Sequence, residues 1–98
     1  MNAMIIGEVY LKHGSMLDLT VTCDGTGPWN YCWHFRDVTY NKTGNEQCDS
    51  ISVVSNVCEF PILWYFRNSG SEALIIIVDD GLSHLVHQVA VIVYDTPR

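Results

Sequence analysis

The sequence predicts an all-β chain, a two-sheet antiparallel sandwich of about seven strands carrying two disulfides. Three observations predict it. Apolar and polar residues alternate with a period of two in several short runs, the periodicity of strands buried on one face. Clusters of Gly, Asn, Asp, Ser and Pro separate those runs. Four cysteines, Cys23, Cys32, Cys48 and Cys58, lie inside a 98-residue chain whose flanks carry none, a disulfide framework for a small domain made in an oxidising compartment.

Taken in order, Met1 to Met4 read as lead-in residues and Ile5 to Leu11 as the first strand, ended by His13-Gly14-Ser15. Residues 1–15 thus hold the lead-in and first strand, and 16–98 the cysteine-stapled sandwich, the two forming one domain. In the second strand Leu17, Leu19, Val21 and Cys23 alternate with Asp18, Thr20 and Thr22, so Cys23 points into the core. Asp24-Gly25-Thr26-Gly27-Pro28 is a turn by composition. The third strand puts Trp29, Tyr31, Trp33 and Phe35 on one face and Asn30, Cys32, His34 and Arg36 on the other, so Cys32 points outward. Residues Asp37 to Ser50 are polar and read as a long connection. From Cys58 to Phe66 the inward row is Cys58, Phe60, Ile62, Trp64 and Phe66, and Pro61 restricts this strand to an edge or to a backbone position that needs no donor. Glu72 to Val78 is nearly all apolar, and Asp79-Asp80-Gly81 turns it back into Ser83 to Tyr94 as a hairpin. This succession, with an inward aromatic on the third strand, is immunoglobulin-like.

Four cysteines allow three connectivities, and strand parity favours one of them. Cys23 and Cys58 are both inward, on strands that neighbour each other in this topology, which leaves the outward Cys32 to Cys48. In the chain-entropy description the two loops contribute roughly 4 and roughly 3 kcal/mol respectively.

Composition narrows the functional classes. With 11 acidic and 5 basic side chains the net charge is −6, which disfavours nucleic acid and bare anionic membrane as partners. Hydrophobic residues at 48% with 16% charged exclude disorder, and without an 18-residue apolar run the fragment is expected not to insert into a membrane itself.

The stretch Leu17-Asp18-Leu19-Thr20-Val21-Thr22-Cys23-Asp24-Gly25 resembles the opening of the cysteine-rich, kringle-like module of the premelanosome protein and glycoprotein NMB family. Tyr31-Cys32, Glu46-Gln47-Cys48, Val57-Cys58, Phe66 to Ser71 and Val78-Asp79-Asp80-Gly81-Leu82-Ser83 continue the likeness, and Cys32-Trp33 is similar to the third relative, transmembrane protein 130. The likeness covers about residues 16 to 96, carried by cysteine positions and turns more than by identities. It implies a module that follows a polycystic-kidney-disease-type (PKD-like) sandwich in the ectodomain of a single-pass membrane glycoprotein. The chain lacks two cysteines of the premelanosome pattern, one in the Asp37 to Gly44 loop and one near Ala73-Leu74. Their joint loss implies that they pair with each other in relatives, which again leaves Cys23 with Cys58 and Cys32 with Cys48.

Candidate chemistry is sparse. His84 and His87 project to opposite faces of a strand and cannot share one ion, and the cysteine spacings lack a zinc-knuckle C-x-x-C, so no metal or other cofactor is expected. Cys32 and His34 share a face, but an oxidised Cys32 is no nucleophile and no orienting carboxylate is evident in the sequence. No catalytic residue is assigned and an enzyme is not expected. Asp79-Asp80 reads as a solvated hairpin rather than a calcium site. Asn41-Lys42-Thr43 meets the N-glycosylation rule, which makes Asn41 a candidate acceptor. The aromatics Trp29, Tyr31, Trp33, Trp64 and Phe66 are read as core rather than as a carbohydrate platform. If Leu74, Ile76 and Val78 face inward, Ile75 and Ile77 form an apolar strip on the outer face, extended by Val86 and Ile92. The expectation is a non-catalytic structural or interaction module on the extracellular or organelle-lumenal side of a membrane glycoprotein. Its partners would be protein, through self-association or neighbouring domains of the same chain. The alternative is a secreted adhesion or ligand-binding immunoglobulin-like domain.

Overall fold

The computed structural model describes residues 2–4, 8–38, 43–51 and 56–95. These residues form eight strands and no helix: β1 (Asn2–Met4), β2 (Glu8–Lys12), β3 (Met16–Asp24), β4 (Trp29–Asp37), β5 (Gln47–Ile51), β6 (Val57–Tyr65), β7 (Gly70–Asp79) and β8 (His84–Tyr94). One sheet has the order β1-β3-β6 and the other β2-β8-β7-β4-β5. All pairings are antiparallel except β2 with β8, which is parallel.

Two strand boundaries depart from the sequence reading. Of the first strand expected over Ile5 to Leu11, the described part is β2, which starts at Glu8, runs on to Lys12 and pairs with β8. Asn2 to Met4, expected as lead-in, are instead strand β1, paired with β3 through Asn2↔Asp24, Ala3↔Cys23 and Met4↔Thr22. The second departure is β5, which occupies part of the connection expected over Asp37 to Ser50. Gln47-Cys48-Asp49-Ser50-Ile51 is too polar to announce itself as a strand, since it lies at a sheet edge with only Ile51 packed against the core. What places it is the ladder to β4, with Cys32↔Cys48 and Trp33↔Gln47 in register.

The inward rows are those that alternation predicts. Leu17, Leu19, Val21 and Cys23 of β3 are buried, as are Cys58, Phe60 and Ile62 of β6 and Leu74, Ile76 and Val78 of β7. Aromatic rings fasten the sheets together. Tyr31 of β4 stacks on Phe60 of β6 with centroids 3.9 Å apart, Trp33 meets Trp64 edge-on at 5.7 Å, and Phe35 contacts both Trp64 at 5.6 Å and Phe66 at 4.9 Å. Offset and edge-on pairs of this kind each contribute about 1 kcal/mol beyond the area they bury. The aromatics are therefore core, although Trp64 at the rim keeps 36% of its surface exposed. Pro61 sits on β6, which among the described residues pairs only with β3, so its missing N–H faces an open edge.

One end of the sandwich is closed by Asp80, the buried charged residue of the core. The carboxylate accepts hydrogen bonds from the amides of Leu82 (3.0 Å) and Ser83 (2.8 Å) within the β7–β8 turn, and from the Thr26 amide (3.2 Å) in the β3–β4 turn. Hydroxyls of Thr26 and Ser83 add two further contacts. Gly25 is required beside it, because a Cβ there would meet Asp80 Oδ2 at 2.5 Å and the Trp29 ring at 2.8 Å. At Gly81 the turn takes φ of 91°, a conformation open to glycine.

Candidate functional site

The outer face of the five-stranded sheet carries the residues singled out by sequence. Register sets them in rows across the strands. Cys48, Cys32, Ile77 and Val86 form one row, and His34, Ile75 and Gln88 the next. Ile75 and Ile77 face outward as expected, but both are half-buried, wedged between neighbours on β4 and β8. Val86 is the exposed member, with 59% of its surface accessible, while Ile92 on the same side of β8 is half-buried. The strip is thus shallower than alternation alone suggests, and exposed Gln88 and Ala90 separate Val86 from Ile92.

Cys32 and Cys48 are bonded as a disulfide, tying edge strand β5 to β4 across directly opposed positions. Cys23 and Cys58, expected as the second disulfide, are free thiols in this structure. They nonetheless stand opposite each other in the β3–β6 ladder, where parity places them. The Gly25 amide donates to the Asn56 carbonyl at 3.0 Å, and counting back two residues puts Cys23↔Cys58 at a hydrogen-bonded pair, where Cα atoms are about 5.5 Å apart. At that spacing two fully buried thiols pack side by side as small apolar groups. Burial, followed by the charges of Cys58 and Asp24, pushes the Cys23 thiol up to about 11, and burial raises Cys58 as well.

Next to the disulfide the fold supplies a group the sequence does not announce. Glu46, just ahead of β5, sets one carboxylate oxygen 3.6 Å from His34 Nδ1 and the other 3.4 Å from Cys48 Sγ. The carboxylate found lacking for a Cys32-His34 pair is therefore present, contributed from the segment leading into an edge strand that the sequence reads as loop. With Cys32 oxidised there is no thiolate for His34 to activate. Behind the disulfide, a cleft of about 320 Å³ opens between the edges of β5 and β6, lined by Tyr31, Trp33, Gln47, Cys48, Asp49 and Pro61.

The remaining candidates separate. His84 is exposed and His87 half-buried on the opposite row of β8, so they do not share a site. Asp80 is buried among hydrogen-bond donors, the Ser83 amide foremost, that hold its carboxyl below the usual carboxylate range, in contrast to the solvated Asp79-Asp80 turn that the sequence predicts. Asn41 lies outside the described residues. A second apolar cluster, not drawn from the sequence as a site, sits on the outer face of the three-stranded sheet: Met16 and Tyr65 are cross-strand partners beside Leu63, each more than half exposed. The signal was present in alternation, which puts Leu63 and Tyr65 on the outward row. Among known proteins, no family model and no curated sequence matches the chain.

Proposed function

We propose that the chain is a non-catalytic interaction module, an immunoglobulin-like, PKD-like sandwich of a membrane-glycoprotein ectodomain that associates through the outer face of its five-stranded sheet. The observation that carries this reading is the row of Cys48, Cys32, Ile77 and Val86, with Ile75 alongside, forming an apolar band on a chain of net charge −6. Apolar bands on charged surfaces mark contacts. Two further features support it. The order β1-β3-β6 against β2-β8-β7-β4-β5, with the N-terminal segments shared between sheets, suits an immunoglobulin-like domain. The Cys32–Cys48 disulfide is compatible with an oxidising extracellular or lumenal compartment.

The contact is homotypic or between neighbouring domains of one chain. Replacing both Ile75 and Ile77 with Lys places two charges in the band, and molecular mass in solution reads the result. Loss of the oligomer with an unchanged circular dichroism spectrum is the expected outcome. An unchanged oligomer with an unchanged fold removes this face from the interface.

A further inference from the structure

We propose that the Cys32–Cys48 pair is one state of a redox-gated zinc site, in which the reduced thiols, Glu46 and His34 bind Zn²⁺ as a four-ligand set. Cys32, Cys48 and Glu46 each bring a donor atom within 4.8 Å of the others. His34 Nδ1 adds a nitrogen 3.6 Å from one Glu46 oxygen, while the second oxygen lies 3.4 Å from Cys48 Sγ. Tetrahedral zinc with Zn–S of about 2.3 Å and Zn–N or Zn–O of about 2.0 to 2.2 Å requires ligand atoms roughly 3.3 to 3.8 Å apart. The His34–Glu46 and Glu46–Cys48 separations fall in that range, one to each carboxylate oxygen. The two sulfurs are too close because they are bonded, and His34, outside the group of three, must turn toward the ion as Glu46 presents one oxygen to it.

A dithiol opens them by exchange: the protein disulfide takes two electrons and two protons, leaving two cysteine thiols, and the dithiol leaves as a cyclic disulfide. The Cα atoms stay 4.1 Å apart on adjacent strands, and side-chain rotation lets the sulfurs separate to about 3.8 Å. Zinc then displaces both thiol protons to solvent and restores the β4–β5 cross-link that reduction removed. Soft thiolates select zinc over calcium or magnesium. His34 is largely shielded, with 18% of its side chain exposed, and Ile75 and Ile77 flank the site as the cross-strand partners of His34 and Cys32. Cys23 and Cys58 are not an alternative site: they are wholly buried in the apolar core, with no nitrogen or oxygen ligand grouped with them among the described residues. The site shares Cys32, Cys48 and the flanking isoleucines with the interaction face proposed above, but metal binding is read without reference to association.

The test uses the intact chain in two forms, disulfide-bonded and dithiol-reduced, the latter freed of reductant without air. Each is titrated with Co²⁺ as a spectroscopic probe and then with Zn²⁺ against a chromophoric chelator. Near-ultraviolet circular dichroism follows the fold. The expected result is one equivalent bound by the reduced form alone, sulfur-to-cobalt charge-transfer absorption, and zinc-dependent protection of Cys32 and Cys48 from alkylation. Glu46→Gln and His34→Gln should each weaken binding about tenfold or more. If reduction unfolds the chain, zinc-driven recovery of the folded spectrum supports the site. A reduced form that stays unfolded, binds no zinc when folded, or shows protection elsewhere than Cys32 and Cys48 overturns it.

Discussion

Asp80 shows how one side chain joins two turns that are 54 residues apart. Its carboxylate is held by the Leu82, Ser83 and Thr26 amides, and these donors depress its titration below the ordinary value of 3.8. A group with a lowered folded-state pKa stabilises fully above the unfolded value and loses that contribution as pH falls below it. Asp80→Asn should therefore lower the urea midpoint at pH 7, and the gap to the parent should narrow as pH is taken down to about 2. A gap independent of pH would assign the loss to shape rather than charge. Cys23 has the opposite sign. Its thiol is raised from 9.0 to about 11, so the protonated form is favoured by folding, and this contribution is complete below pH 9 and lost as pH rises from 9 to about 11. Because the thiolate is the reactive form, iodoacetamide at pH 8 should spare Cys23 and Cys58 in the native protein and modify both after denaturation. Failure to find these two thiols in denaturant would mean that the pair oxidises in solution.

At the level of elements, β5 is the piece whose existence depends most on a covalent bond. It is short, lies on an edge, has four of its five residues exposed, and contributes to the core only through Ile51. Its disulfide closes a loop with a sequence separation of 16, for which chain entropy alone gives about 3 kcal/mol. Substituting Cys32 and Cys48 with Ser together should lower unfolding free energy by about that amount, and hydrogen exchange should show β5 amides losing protection before those of β3, β6 or β7. Equal protection across all strands would show that backbone pairing alone holds β5. The contrast with β7 is instructive. That strand has β4 and β8 on either side, and its Leu74, Ile76 and Val78 are wholly buried, so no cross-link is needed to define it.

For the whole molecule, the two outer faces differ in ways that bear on association. The five-stranded sheet offers a band that is half-buried except at Val86, while the three-stranded sheet offers Met16, Leu63 and Tyr65, which are each more than half exposed. If the first face forms the contact, Leu63→Lys with Tyr65→Lys should leave the oligomer unchanged in sedimentation velocity, whereas Ile75→Lys with Ile77→Lys dissolves it. The reverse pattern would transfer the interface to β3 and β6.

Alternation alone determined the strand faces, because a period of two assigns each residue of a half-buried strand to one side whatever its partner. Trp29, Trp33 and Phe35 inside, Cys32 and His34 outside, and Cys23 and Cys58 both inward all follow from it, while the hairpin at Asp79-Asp80-Gly81 follows from its turn residues. Tertiary structure decided what depends on a neighbour. The pairing of Asn2 to Met4 with β3, the pairing of polar Gln47 to Ile51 at an edge, the burial of Asp80 between two turns and the approach of Glu46 to His34 are contacts between distant segments. None leaves a period in the sequence. The oxidation states divide the same way: parity put Cys23 and Cys58 on one face and left Cys32 to Cys48, but in the structure Cys32 and Cys48 are bonded across an edge while Cys23 and Cys58 are thiols packed in the core. Local pattern sets the side a residue faces, and packing between sheets sets what it meets there.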